Sequence, residues 1–233
     1  MIEICGGIPI VVQSDIKSNF KVPASKIKGH ISNKTRMVII NSPNNPSGSL
    51  YNEVELKKIA DMLKDHPEIF ILSDEIYEHI NYGVKHFSFA SIPEMYERTI
   101  TVNGVAKAFA MTGWRIGYLG APEWLAKACT KLQGQSTSGA NCIAQKATIA
   151  ALDANIDQIK YMIDEFRERK KIIINLLSEI EGFKLNDPEG AFYIFPDISY
   201  FFGKTIDGFE IKDSTDFSSV SYTHLTLPTI ALV

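Results

Sequence analysis

Lys107 lies in the run NGVAKAFAMTGWRIGY (103–118), directly after a short apolar stretch, and Arg115 follows in a Gly-Trp-Arg turn. Most lysines are solvated surface charges. Here the neighbours Val105, Ala106, Ala108 and Phe109 are small or apolar, and a desolvated amine is free to act as nucleophile and base. Such an amine suits a Schiff base with a carbonyl compound, and the planar arginine fork suits bidentate binding of a phosphate.

Two further segments carry candidate groups. NSPNNPSG (41–48) is built from turn residues and on composition alone reads as a loop. In a functional reading it presents the Asn45 amide to a ligand, stiffened by Pro43 and Pro46, with the Asn45–Pro46 bond a candidate for the cis form. SDEIYEHINY (73–82) places Asp74 at the end of an apolar run, where a carboxylate is costly unless partnered. Capping a turn would explain Asp74 without any function. Alternatively Asp74 pairs with a cationic ring nitrogen while Tyr77 donates to an oxygen on the same ring.

The elements that must hold these groups alternate. MVIIN (37–41), FILSD (70–74), TITV (99–102) and IGYLGA (116–121) read as short strands. Between the first two, 52–65 carries Leu56, Ile59, Ala60 and Leu63 at the helical period. Pro122 suits the first position of a helix continuing towards Gln133. The alternation predicts an α/β domain with a mainly parallel sheet flanked by helices. All three motifs then fall just after strands, where open α/β sheets bind ligands.

The character changes near Asp153. Ile159, Ile163, Phe166, Ile173, Leu176, Leu177 and Ile180 mark one amphipathic helix over 155–181, followed by a Pro188/Gly190 turn and a strand AFYIF (191–195). The expected organisation is a large domain over 1–154, then a connecting helix and part of a smaller α+β C-terminal domain over 155–218. Residues 219–233, with VSYTHLTLPT, follow neither period and resemble the translated end of a sequencing-library adapter rather than this domain.

Composition narrows the classes. The chain is 45% hydrophobic and 22% charged with net charge −3. That suits a globular protein and disfavours nucleic acid as a partner. No apolar run approaches the roughly 18 residues of a membrane span, and MIEICGGIPIVV lacks the features of a signal peptide. Cys5, Cys129 and Cys142 form neither a C-x-x-C pair nor a metal-like cluster. A reduced, cytoplasmic protein without a metal is expected. His79 and His86 share a loop-like stretch but carry little weight as zinc ligands.

Taken together and in order, NSPNNPSG, SDEIY and NGVAKAFAMTGWRIGY resemble the signature blocks of the class I pyridoxal-phosphate-dependent aminotransferases of fold type I. The resemblance runs from about Ile2 to Ser218, includes GAFYIF, and is strongest to the bacterial aspartate aminotransferases. It implies pyridoxal 5'-phosphate as cofactor, with Lys107 as the Schiff-base lysine and Asp74 as partner of the pyridinium nitrogen. It further implies Tyr77 and Asn45 as partners of the ring oxygen and Arg115 as the phosphate ligand, so that Lys107, Asp74 and Tyr77 are the catalytic set. Ala106 departs from the serine often found before the lysine.

The implied reaction moves an amino group from an amino acid, aspartate by this likeness, to a 2-oxo acid such as 2-oxoglutarate, with ping-pong kinetics. Family members are usually homodimers and are longer at both ends. They carry an N-terminal phosphate-binding segment and a C-terminal arginine for the substrate carboxylate, and no arginine follows Arg169 here. The chain is therefore expected to be a fragment that does not transaminate by itself. Aromatic or alanine aminotransferases, carbon–sulfur lyases and an inactive cofactor-binding remnant are the alternatives.

Overall fold

The computed structural model describes residues 2–206 and 208–224. Four strands, β1 (Met37–Asn41), β2 (Phe70–Asp74), β3 (Thr99–Asn103) and β4 (Tyr118–Gly120), form one sheet in that order. β1, β2 and β3 are parallel and β4 is antiparallel to β3. After α1 (Ala24–Lys28), helix α2 (Glu53–Leu63) makes the crossover from β1 to β2. The four-residue α3 (Val105–Ala108) and the 3-10 turn Thr112–Trp114 give no such crossover, so the chain returns antiparallel.

The register sets the site. Asn41 stands beside Asp74, and Asp74 beside Val102. The loops after all three parallel strands therefore leave from one edge.

Helix α2 begins where Asn52 and Glu55 cap each other reciprocally: the Asn52 side chain accepts from Glu55 N (2.9 Å) and Glu55 Oε2 from Asn52 N (2.8 Å). Its predicted face is the buried one. Leu56, Ile59, Ala60 and Leu63 pack with Ile40, Ile69, Ile71, Phe89, Ile92 and Met95. Arg98 donates to the Leu63 carbonyl (2.8 Å) and the His66 carbonyl (2.6 Å), satisfying groups that the helix end leaves open. The opposite sheet face is bare in places, with Ile39 52% exposed.

Beyond the sheet lie α4 (Glu123–Thr137), α5 (Cys142–Asp153) and α6 (Lys160–Ser178). Pro122 is the N-cap of α4 rather than its first residue, and α4 runs past Gln133. The predicted helix over 155–181 is shorter. The Asn155 side chain accepts from Asp157 N, which starts a 3-10 turn at Ile156–Ile159, and the α-helix begins after it. Met162 and Phe166 pack beneath the site, whereas Ile173, Leu176 and Ile180 of the predicted apolar face are exposed.

AFYIF does not form a strand. Ala191 has φ 56°, and its amide turns aside to the Ile80 carbonyl (2.8 Å), so the segment follows the 75–82 loop instead of a sheet edge. A short hairpin, β5 (Thr205–Ile206) with β6 (Phe209–Glu210), and α7 (Ser214–His224) complete the described chain. Helix α7 continues through residue 224, and residues 225–233 of the adapter-like tail lie outside the described residues.

Candidate active site

The 41–50 loop is set by its asparagines. Asn41 Oδ1 accepts the Asn45 amide (2.7 Å), and Asn44 Oδ1 accepts both Ser47 N (3.1 Å) and Ser47 Oγ (2.8 Å). The Ser42–Pro43 and Asn45–Pro46 bonds are both cis. The Asn45 side chain is left exposed at the rim, where Nδ2 donates to the Tyr193 hydroxyl (3.3 Å).

Asp74 ends β2 half-buried. Its Oδ1 accepts the Ile76 amide (3.2 Å), so the turn-capping explanation holds for one oxygen. Among the described residues no lysine, arginine or histidine pairs with this carboxylate. The chain then makes successive turns, with Glu78 N bonded to Glu75 O and Ile80 N to Tyr77 O. Tyr77 is 2% exposed and packs with Ile80 and Ala191. Burial, the Tyr193 hydroxyl and the charge of Asp74 push its phenol far above the ordinary tyrosine range. Tyr77 therefore stays a neutral hydrogen-bond donor across the working pH range.

Lys107 projects from α3, whose start is held by Asn103. That side chain accepts from Gly104 N (2.7 Å) and donates to Glu78 Oε1 (2.6 Å). Lys107 is half-buried, its Nζ over two aromatic faces, 5.7 Å from the Tyr77 ring centroid and 5.5 Å from that of Phe192. Among the described residues it has no carboxylate partner.

Arg115 stands apart from this cluster. It has φ 56°, is exposed, and donates to the Thr112 carbonyl (3.0 Å). With Gly113, Trp114, Gln133 and Asn141 it lines an open cleft of about 1020 Å³, which Lys107, Asp74 and Tyr77 do not line. The structure thus gathers Asn45, Asp74, Tyr77 and Lys107 and sets Arg115 on the wall of a separate cleft.

Phe192 and Tyr193 are the site residues that sequence reasoning passed over. The Tyr193 hydroxyl meets that of Tyr77 at 2.5 Å, and Phe192 stacks on Phe166 at 5.2 Å between ring centroids. Their signal was the aromatic pair directly after the Pro-Glu-Gly turn. That turn docks on the 41–50 loop, where Glu189 N and Gly190 N both donate to Gly48 O (2.9 Å each).

Gly48 has φ 67°, and a Cβ there would lie 2.4 Å from Pro188 Cβ and 2.9 Å from Gly190 O. Gly48→Ala should cost about 1–3 kcal/mol, measured by urea denaturation. An unchanged midpoint would contradict this docking.

A family model described as "Aminotransferase class I and II" matches residues 1–207. A Petunia hybrida bifunctional aspartate aminotransferase and glutamate/aspartate-prephenate aminotransferase is 43% identical over 213 residues, covering 90% of this chain and 44% of that protein. The crystal structure of an aspartate aminotransferase from Rhizobium meliloti superposes with a TM-score of 0.91 at 40% identity, covering 95% of this chain and 56% of that one. An aromatic aminotransferase from Pyrococcus horikoshii gives 0.81 at 38% identity, covering 85% and 53%. The chain spans about half the length of these relatives.

Proposed function

The chain belongs to the class I and II aminotransferases, and on that premise we propose that it carries the pyridoxal-phosphate-binding half of an aspartate-type transaminase. The observation that carries this reading is the half-buried Lys107, its amine over Tyr77 and Phe192 with no acid paired to it among the described residues. A structural lysine would be expected to pair or to reach solvent.

The donor set fits the cofactor. Asp74 has no cationic partner among the described residues and keeps one carboxylate oxygen for a ring nitrogen, Tyr77 and Asn45 offer donors for a ring oxygen, and Arg115 has no acid partner among the described residues. When bound, pyridoxal phosphate supplies the electron sink that stabilises negative charge at the substrate's α-carbon.

The protein supplies the rest. Lys107 Nζ would hold the cofactor and, once free, would take the proton from the substrate α-carbon and pass it to the cofactor's C4′ carbon. Asp74 holds the ring-nitrogen proton in place. Tyr77, neutral because it is buried, donates to the ring oxygen. Arg115 grips the phosphate from the cleft wall. Phe192 and the Tyr77 ring keep water from one side of the amine.

The whole protein is then an enzyme of amino acid metabolism and biosynthesis that moves an amino group from aspartate to 2-oxoglutarate, acting as a cytoplasmic homodimer. No described helix is long and apolar enough to cross a membrane. The large domain ends near residue 154, the connecting helix and small domain follow to 218, and 219–233 lies outside the family pattern. A second reading on amino acceptor and donor has support from the relatives, one named for prephenate and one for aromatic substrates. Kinetics of the whole protein with aspartate, aromatic amino acids and prephenate separate the two.

The cofactor assignment is tested on this chain directly. Addition of pyridoxal phosphate should give a visible absorbance band that borohydride bleaches while fixing the cofactor covalently, with peptide mapping placing the label on Lys107. Attachment elsewhere, or no band, would sink the reading. Arg115→Ala should weaken cofactor binding roughly 10- to 150-fold, the loss of charge-assisted hydrogen bonds to phosphate. Titration of the same band checks it, and unchanged binding would remove Arg115 from the site.

A further inference from the structure

We infer that Tyr193 is a positioning residue for this cofactor, its hydroxyl tying the Tyr77 phenol and the Asn45 amide into one triad that aims both at the cofactor's ring oxygen. The inference rests on the reading that the site takes pyridoxal phosphate.

Tyr193 reaches the site from far along the chain, 116 residues from Tyr77 and 148 from Asn45. Its segment is held firmly. The Ala191 amide bonds the Ile80 carbonyl (2.8 Å), Tyr82 N bonds the Glu189 carbonyl (2.9 Å), and the Tyr82 hydroxyl donates to Ala191 O. Gly190 permits the approach, because a Cβ there would lie 2.8 Å from Pro43 Cβ and 2.9 Å from Ile80 O. The Tyr193 ring meets the Tyr77 ring edge-on at 5.6 Å.

By contrast, the groups it touches would otherwise rotate. The Asn45 side chain is exposed, and a phenol O–H can take either of two in-plane orientations. The proton count allows one arrangement that serves the cofactor. A hydroxyl has one proton and two lone pairs, and an amide nitrogen has two protons. Asn45 Nδ2 gives one proton to Tyr193 Oη, and Tyr193 gives its own proton to Tyr77 Oη. The Tyr77 proton and the second Asn45 proton are then both left for the ring oxygen. Donation from Tyr193 also polarises the Tyr77 O–H and strengthens its onward bond.

Tyr193→Phe keeps the ring and removes the hydroxyl. Titrating pyridoxal phosphate into the 233-residue chain should show binding weakened about 2- to 12-fold, the loss of one hydrogen bond, with a shifted absorbance maximum of the bound form. In a Tyr77→Phe background most of that effect should vanish, because Tyr193 acts through Tyr77. Should Tyr193→Phe fail to fold, Tyr193→Met fills the space without a hydroxyl and must show the same weakening and the same coupling to Tyr77→Phe. A pure packing role predicts loss in Tyr193→Leu but wild-type affinity and absorbance in Tyr193→Phe. That outcome, or strictly additive losses with Tyr77→Phe, overturns the inference. If the wild-type chain gives no borohydride-fixable band, the cofactor reading fails first and this inference falls with it. A band present in wild type and unaltered in Tyr193→Phe removes Tyr193 alone.

Discussion

Lys107→Ala should abolish the borohydride-fixable band and, in the whole protein, should lower turnover by about 10⁴-fold or more. Two roles vanish together. The amine proposed to hold the cofactor is gone, and so is the proposed base for the α-proton, for which positioned proton transfer alone contributes roughly 10²–10⁴-fold. Residues sharing one step are not additive, so losing both roles need not multiply their separate effects.

The local packing tolerates the change. Lys107 is half-buried on a four-residue helix and its amine makes no ion pair among the described residues. The variant should therefore melt near the wild type and still bind cofactor reversibly through Tyr77, Asn45 and Arg115. The checks are borohydride labelling followed by mass analysis of the chain, together with single-turnover kinetics of the whole protein. Persistent covalent labelling in the variant would show that another lysine holds the cofactor. Rescue of turnover by added small amines, without restored labelling, would separate the base from the tether.

Glu75→Ala has the largest expected effect on stability. The Glu75 side chain is 3% exposed. It accepts from Ser73 Oγ (2.8 Å), Ser88 Oγ (2.9 Å) and Phe89 N (3.2 Å), and it faces His86 Nε2 at 3.1 Å. It stands directly between Asp74 and the turn that carries Tyr77, so it pins the 86–89 segment to the edge of the sheet. Removing it strips several buried donors at once, at a cost of about 3–5 kcal/mol.

The pH dependence follows from the same contacts. Burial by itself raises the Glu75 carboxyl, but the bonds from His86, Ser73 and Ser88 outweigh it and hold the carboxyl below its ordinary range. A carboxylate depressed by folding contributes stability above its unfolded pKa. That contribution fades as pH falls through the lower folded value. Urea midpoints of wild type and Glu75→Ala should therefore differ most near neutrality and converge in acid. Glu75→Gln, which keeps one acceptor oxygen, should fall between them. Equal stabilities of wild type and Glu75→Ala at neutral pH would refute the account.

Glu75 also bears on the histidines. Together with Glu78 and His86 it brings ligand atoms within 4.8 Å of one another. Its oxygens are already taken by serines, a backbone amide and the imidazole, so the group reads as a structural knot within the described residues.

Much of the site was legible because it lies on short, strongly patterned elements. The four strands stand where the apolar runs predicted them, and α2 buries the four residues its period selected. Parallel register then lines up the strand ends, and Asn45, Asp74 and Lys107 follow from that edge without further information. Where the signal was periodicity alone it went further than the packing. The 155–181 pattern is genuinely helical, yet the Asn155 cap and a 3-10 turn took its first residues, and much of its apolar stripe is uncovered. AFYIF was apolar enough for a strand, but the left-handed Ala191 and the pull of the Ile80 carbonyl turned it into a loop.

The sequence by itself determined the chemistry on offer: an amine, a carboxylate, a phenol, an amide and a guanidinium, each just beyond a strand or in the turn that follows. Residue type and local spacing suffice for that, since strand ends and turns are set by neighbours a few positions away. Only the tertiary structure decided which groups meet. It brought Tyr193 and Phe192 from a distant turn onto Tyr77 and Lys107, and it put Arg115 on the wall of a separate cleft. Those contacts depend on a glycine-permitted approach of Gly190 to Pro43 and on the docking of Glu189 and Gly190 against Gly48. No local period encodes them, because the partners are far apart in the chain and are joined only when the core closes.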